Sequence, residues 1–266
     1  MLTRYVKSAD QIQAMQRIYA TPAFLQSTSI SMAFLTDPLV VRELLPPLLE
    51  PAEEPRVSVS VYTIGASNCV GAFDGASVNI ACRYEGRDGL YCLTMPMSTD
   101  TAIVFGRELY AEPKKLAECR LDRRGKFVTG TVTRHGIPYI ELNGTFEEPM
   151  EAVGRASVSE HYYYKFLPAA DGRGLAFDPQ LVRVTHRGVT HRLTRGTGTL
   201  TFRESRHDPV IDLPVHLLEG AAFSEGETHT TAEVVATVPA ADFLPWAYGK
   251  SDDLTAWAGV DANAAK

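Results

Sequence analysis

Arg56-Val57-Ser58-Val59-Ser60-Val61-Tyr62 alternates apolar and polar side chains without a break. Successive side chains on a strand point to opposite faces, so a period of two describes a half-buried strand. The same reading extends outward in both directions. Strands are expected near 76–84, 89–95 and 101–106, then at 126–134 and 137–146 as a hairpin turning at His135-Gly136, where glycine accepts backbone angles that other residues resist. Further strands are expected near 158–167, 180–187, 190–194, 198–203 and 230–238. Many short strands joined by glycine-bearing turns describe a mainly antiparallel sheet closed into a barrel or stacked as a sandwich.

Helix signals are few. Ser8 and Gln11 form a capping box ahead of a helix over 8–19. Asp37 as N-cap, Pro38 in the first turn and Pro46-Pro47 as a stop frame a second helix near 38–45. Pro239 to Tyr248 reads as a short C-terminal helix, and the polar, alanine-rich tail from Ser251 as loosely held. With no repeat, low-complexity block or linker, the expected class is α+β, one unit over 1–266 with a few helices flanking the sheet.

The chain has 266 residues, 45% hydrophobic and 22% charged, enough for an ordinary core. A net charge of −6 speaks against a nucleic-acid partner. No apolar run approaches the ~20 residues that a membrane span needs. The N-terminus shows no charged leader with an apolar core behind it. Cys69, Cys82, Cys92 and Cys119 lack C-x-x-C spacing, which favours reduced thiols over a disulfide frame or a zinc site. These features point to a soluble cytoplasmic protein.

The chemistry is concentrated in Gly106-Arg107-Glu108-Leu109-Tyr110-Ala111-Glu112-Pro113-Lys114-Lys115-Leu116. Paired lysines are usually solvated. Here the apolar run Thr101-Ala102-Ile103-Val104-Phe105 reads as a buried strand feeding into them. A lysine drawn into an apolar pocket loses hydration of its charged form, and its pKa falls. The neutral amine can then attack a ketone to form a Schiff base. If the pair is extended, only one of the two lysines enters the pocket.

This segment resembles the motif of the acetoacetate decarboxylase superfamily: Gly-Arg-Glu, a short spacer, then Pro-Lys-Lys. Arg83-Tyr84-Glu85-Gly86 with Gly89-Leu90-Tyr91 resembles the family's strand–turn–strand. Tyr164-Lys165-Phe166-Leu167-Pro168 with Asp171-Gly172 resembles a later corner. The likeness runs from about Thr36 to about Tyr248. It implies a closed barrel-like sheet, a homo-oligomer, no cofactor, and Lys114 as the Schiff-base nucleophile with Lys115 as a structural partner or local charge. The implied substrate is a small keto acid. The protonated imine is an electron sink, which serves loss of carbon dioxide from a β-keto acid. It equally serves deprotonation of a pyruvate-like donor that then adds to an aldehyde and sheds water.

The chain departs from the decarboxylase pattern at three places. Gly75 stands where that pattern has a glutamate, with Asp74 beside it as a shorter replacement. The expected arginine position falls in Gln26-Ser27-Thr28-Ser29, which has none. Glu112 replaces an aromatic residue before Pro113; it reads either as an acid–base group or as a partner of Lys115 or an outward-facing residue. These departures tilt the expectation towards aldol condensation–dehydration, with decarboxylation second and a non-catalytic binding protein third. Tyr248 is the candidate acid–base group for the aldol route; its plain alternative is packing with a wet hydroxyl. Arg107 and Glu108 form an ion pair or orient the lysine loop, and Arg107 could clamp a substrate carboxylate.

Other clusters carry less. Arg183, Arg187, Arg192, Arg195, Arg203 and Arg206 read as solvated strand faces. His186 and His191 are five apart and would point opposite ways on one strand, which argues against a metal site. Gly196-Thr197-Gly198 lacks the context of a dinucleotide loop. Tyr162-Tyr163-Tyr164 reads as strand packing, with one ring able to wall a pocket. No G-x-S-x-G elbow competes with Lys114.

Overall fold

The structure is a computed structural model that describes residues 3–259. In chain order the elements are α1 (Ala9–Ala20), β1 (Ala23–Leu35), α2 (Pro38–Leu44), β2 (Glu50–Pro51), β3 (Arg56–Ser67), β4 (Phe73–Tyr84), β5 (Arg87–Met97), α3 (Asp100–Tyr110) and β6 (Lys114–Leu116). They continue with β7 (Glu118–Arg124), β8 (Phe127–Arg134), β9 (Ile137–Thr145), β10 (Glu151–Lys165), β11 (Gln180–Phe202), β12 (Leu217–Thr237), α4 (Ala240–Gly249) and α5 (Leu254–Trp257). The class is the expected one: mostly antiparallel strands with a few helices.

The sheet closes on itself. Pairing runs β10–β5–β4–β3–β1–β12–β11, and β11 pairs back with β10 to complete a ring. The β5–β10 joint is parallel and short, with His161 opposite Leu90 and Tyr162 opposite Tyr91. The far end of β11 leaves the ring and pairs with β9, from which β8 and β7 continue as a second sheet.

The alternation of β3 sorts two cores. Val57, Val59 and Val61 are fully buried against Val128, Val132 and Ile140 of the second sheet, in a cluster that also takes in Phe243 of α4. Each such valine contributes about 1.5 kcal/mol or more by leaving water. Tyr62 and Ile64 belong instead to a smaller cluster with Met97, Tyr110, Tyr163 and Val182. The lysine segment lies against that smaller cluster.

Several sequence expectations hold. Ser8 and Gln11 cap α1 reciprocally, and Asp37 caps α2 with Pro38 in its first turn. His135 (φ 50°) and Gly136 (φ 77°) turn the β8–β9 hairpin with both central residues left-handed. The four cysteines are free thiols.

Others are corrected. Thr101–Phe105 is not a strand but part of α3. The Thr99 hydroxyl accepts the Ala102 N–H as N-cap, and Asp100 sits in the first turn. The buried residues are Ala102, Gly106 and Tyr110, with Ile103 packed against the same cluster; the spacing of three and then four in Ile103, Gly106 and Tyr110 shares a face on a helix but not on a strand. The three short strands expected between 180 and 203 are one continuous β11, because its glycines allow close backbone approach rather than ending the strand. A Cβ on Gly196 would stand 2.1 Å from the Thr145 carbonyl oxygen. The strand expected at 230–238 begins at Leu217, and β1 and β7 had no counterpart in the sequence reading. The described part of the tail is held: Asp252 accepts from Arg134, and Asp253 caps α5. Residues 260–266 of that tail lie outside the described residues. No helix among the described residues is long and apolar enough to cross a membrane.

Candidate active site

The site is built by the way α3 ends. Ala111 adopts a left-handed conformation (φ 63°) and terminates the helix, with its N–H on the Arg107 carbonyl. The Glu112 N–H then bonds the Gly106 carbonyl at 3.2 Å, and the chain leaves as β6, parallel to β5, with Lys114 opposite Met95. Arg107 returns from α3 to donate Nη1–H to the Lys114 carbonyl at 2.9 Å. Strand geometry therefore sends Lys114 and Lys115 to opposite faces.

Lys114 is 5% exposed and Glu112 7%, and Lys114 Nζ stands 2.7 Å from Glu112 Oε2. The sequence pattern places this lysine in an apolar pocket; the structure sets a buried carboxylate against it instead. Glu112 pairs with Lys114 rather than with Lys115 or solvent. Gly106 leaves the room: a Cβ there would lie 2.0 Å from Glu112 Oε2 and 2.4 Å from Lys114 Nζ.

The groups around the pair are neutral. Burial, and then the Glu112 charge, holds the Tyr62 and Tyr163 phenols well above their usual range. Burial and Glu112 likewise raise Tyr110, and burial pushes the Cys92 thiol up to about 12. His161 is pushed down to about 3 by burial and then by His186; His186 is pushed down to about 4 by burial and then by Lys114. Their rings meet edge to face at 4.5 Å, and His186 Nδ1 lies 3.2 Å from Thr230 Oγ1. Tyr110 Oη, Tyr163 Oη and His161 Nδ1 are buried with no hydrogen-bond partner. Buried polar atoms are normally satisfied, so three unpartnered atoms beside one ion pair describe a place prepared for a polar guest.

Lys115 faces the other way. Its Nζ donates to the His207 carbonyl at 2.7 Å and to Asp208 Oδ1 at 3.0 Å, and it lies 3.4 Å from Asp252. Arg134 bridges Asp208 and Asp252 at 2.9 and 2.7 Å, completing a four-residue network. His135 and His207 bring nitrogens within 4.8 Å of Asp252, a spacing that a metal could use, but Arg134 already supplies the cation on that carboxylate.

The remaining expected residues are not brought to Lys114. Asp74 accepts from the Thr63 hydroxyl at 2.7 Å, and burial, then the Asp74 charge, raises the Cys119 thiol in the larger core; the neighbouring Gly75 is the one that faces Tyr62 and Met97. Glu108 lies on the outer face of α3, lining a cavity between α1 and α3. Tyr248 is 53% exposed on α4. Among the surface arginines, Arg183 pairs with Glu233 and Arg203 with Glu141. Sequence reading missed Tyr62, Tyr110, Tyr163, His161 and His186 as a set. The available signal was spacing two along the strands, as in His161-x-Tyr163 and Val182-x-Val184-x-His186.

The family profile described as "Acetoacetate decarboxylase (ADC)" matches residues 10–238. The chain belongs to the acetoacetate decarboxylase family. Curated relatives include the acetoacetate decarboxylase of Ralstonia nicotianae, 28% identical over 217 residues that span 77% of this chain and 86% of that one. The acetoacetate decarboxylase of Burkholderia cenocepacia is 26% identical over 198 residues, 72% of this chain and 78% of its own. Among solved structures, the acetoacetate decarboxylase of Legionella pneumophila has a TM-score of 0.74 at 21% identity, covering 82% of this chain and 88% of that one. MppR, an enduracididine biosynthesis enzyme solved with the condensation product of pyruvate and imidazole 4-carboxaldehyde, has a TM-score of 0.65 at 17% identity, covering 80% and 88%. The fold is thus shared with both, and membership of the acetoacetate decarboxylase family makes a Schiff-base lyase the activity class.

Proposed function

We propose that the protein decarboxylates a small β-keto acid through a Schiff base on Lys114, with Glu112 moving the protons. The observation that carries this reading is the 2.7 Å contact between Lys114 Nζ and Glu112 Oε2 in a buried setting. Transfer of one proton from the ammonium to the carboxylate frees the amine. The amine attacks the ketone carbon, and the carbinolamine loses water as Glu112 returns a proton to the departing hydroxyl. The C–C bond to the carboxylate then breaks, its electron pair moves into the protonated imine, and carbon dioxide leaves. The resulting enamine takes a proton on carbon, and water releases the ketone.

The surroundings favour loss of the carboxylate over its retention. Tyr62, Tyr110, Tyr163, His161 and His186 present neutral groups, and Arg107 is held by the Lys114 carbonyl. A carboxylate in that setting is stabilised weakly, whereas the transition state spreads its charge towards neutral carbon dioxide. The unpartnered Tyr110, Tyr163 and His161 atoms orient the acid without fixing it as a cation would. Cys69 feels the charges of both Lys114 and Glu112 and lines the cavity of about 640 Å³ between α1 and α3, which makes that cavity the natural approach. Aldol condensation–dehydration is the second reading, because Glu112 stands equally well to take a proton from the carbon next to an imine. Tyr248 and Asp74 have no part in either route.

Borohydride trapping with acetoacetate and, separately, with pyruvate tests this. An acetone-derived adduct on Lys114, with carbon dioxide release, is expected. A pyruvate adduct that proceeds to product only with an aldehyde would replace decarboxylation by the aldol route. No adduct on Lys114 from either acid, or from longer keto acids, would leave a non-catalytic binding protein.

A further inference from the structure

A cavity of about 420 Å³ lies on the far side of β6 from Lys114, lined in part by Pro113, Lys115 and Lys250. Its walls are apolar and aromatic: Tyr91 and Leu93 of β5, Leu213 from the loop after β11, and Trp246 of α4. The Trp246 indole N–H is fixed by the Glu43 carbonyl at 3.3 Å. A cavity of this size, largely carbon-lined with a few convergent polar groups, has the character of a small-molecule site.

Lys250 sets its chemistry. The ammonium rests 4.3 Å from the centroid of the Tyr91 ring and donates to the Cys92 carbonyl at 3.3 Å. Among the described residues it has no carboxylate partner. The charges it meets include cations, Lys115 of β6 and Arg107 of α3, and burial together with them lowers its pKa to about 8. The acidic groups on the walls are engaged or lie elsewhere on the lining: Asp208 holds Lys115 and Arg134, while Glu43 of α2 and Asp212 make no contact with Lys250. Cys92 and Tyr91 are held neutral, and His207 presents a ring with an unpartnered Nδ1. Thr94, 8% exposed and lining the same cavity, has a buried hydroxyl whose near polar neighbour is the Tyr139 phenol, the two lying together without a well-formed hydrogen bond. A half-buried cation without a carboxylate partner, on the same cavity as a buried hydroxyl that meets no acceptor, is a combination that folded proteins rarely keep unless something completes it.

We propose that this cavity is a second binding site, separate from the Lys114–Glu112 pair, for a monocarboxylate with an aryl or short alkyl body. Lys250 takes the carboxylate and the Thr94 hydroxyl donates to it. Tyr91, Leu93, Leu213 and Trp246 hold the body. Glu43 and Asp212 on the walls disfavour a second negative charge, which selects monoacids over diacids. The occupant lies against Pro113 and Lys115, directly behind the strand that presents the nucleophile.

Benzoate is the probe, measured by titration calorimetry with the full chain. Saturable binding is expected, weakening as pH rises from 7 to 10 while Lys250 loses its proton, with proton uptake on binding near pH 8. Lys250→Met is expected to weaken binding at least tenfold, and Lys250→Arg to keep it without the pH dependence; circular dichroism checks that both fold. Equal affinity in Lys250→Met would put benzoate elsewhere and overturn the proposal. So would absence of saturable binding, or equally tight binding of benzylammonium.

Discussion

Lys114 and Glu112 are each other's counter-ion, and the pair answers a problem that a reactive lysine poses. A lone buried ammonium is destabilising, and a lone neutral amine has no group to take up or return protons. Glu112→Gln separates these roles. Turnover is expected to fall about 100-fold or more, while borohydride still traps an adduct on Lys114. Unchanged turnover would mean that Glu112 balances the Lys114 charge without moving protons. Gly106→Ala tests the geometry from behind, because its Cβ would collide with both charged ends. With the helix intact by circular dichroism, a displacement of roughly 1 Å should reduce kcat about 100-fold; unchanged kcat would show that the pair has room to shift. The Pro-Lys-Lys box made Lys114 the candidate nucleophile in the sequence. The neutral shell was not legible there, because Tyr62, Tyr110, His161, Tyr163 and His186 come from four elements and meet only through the ring's pairing.

At the scale of elements, α3 shows why a short apolar run misleads. Ala102, Ile103, Val104 and Phe105 are consistent with a buried strand by composition, two of them being β-branched. The deciding features lie outside the run: Thr99 at its start, and Tyr110 completing the spacing that includes Gly106. Thr99→Ala should lower stability by about 1 kcal/mol in denaturant unfolding, the usual worth of an N-cap; no change would mean that packing alone holds the helix. The half-and-half strand β3 was legible because one face is fully dry. β1 was not, since Gln26, Ser27, Thr28 and Ser29 interrupt the apolar pattern and its partners on both sides supply what its own sequence lacks. The contacts of the described start of the tail were hidden for a similar reason. Asp252 is ordinary in sequence and becomes anchored because Arg134, His135 and Lys115 reach it from β8, the turn after it and β6.

For the molecule as a whole, two imidazoles held neutral in the interior set a pH limit. Both folded-state values, about 3 and about 4, lie below the ordinary value of 6.5. The unfolded chain therefore binds protons that the folded chain refuses, so the contribution is fully present above pH 6.5 and is lost as pH falls towards 4 and then 3. Chemical denaturation between pH 7 and 5 should show stability falling, with His161→Asn/His186→Asn flattening that slope; an equal slope in the variant would assign it to carboxylates. The ring itself has one more consequence. Eleven matched pairs join β1 to β3, from Phe24–Ser67 to Leu35–Arg56, whereas only His161–Leu90 and Tyr162–Tyr91 join β10 to β5. A hoop fastened by so short a clasp opens there first, and His161 is part of the clasp as well as of the neutral groups around Lys114 and Glu112. Amide exchange at Leu90, Tyr91, His161 and Tyr162 should then outpace that of the β1–β3 ladder, and a guest that grips His161 should slow it.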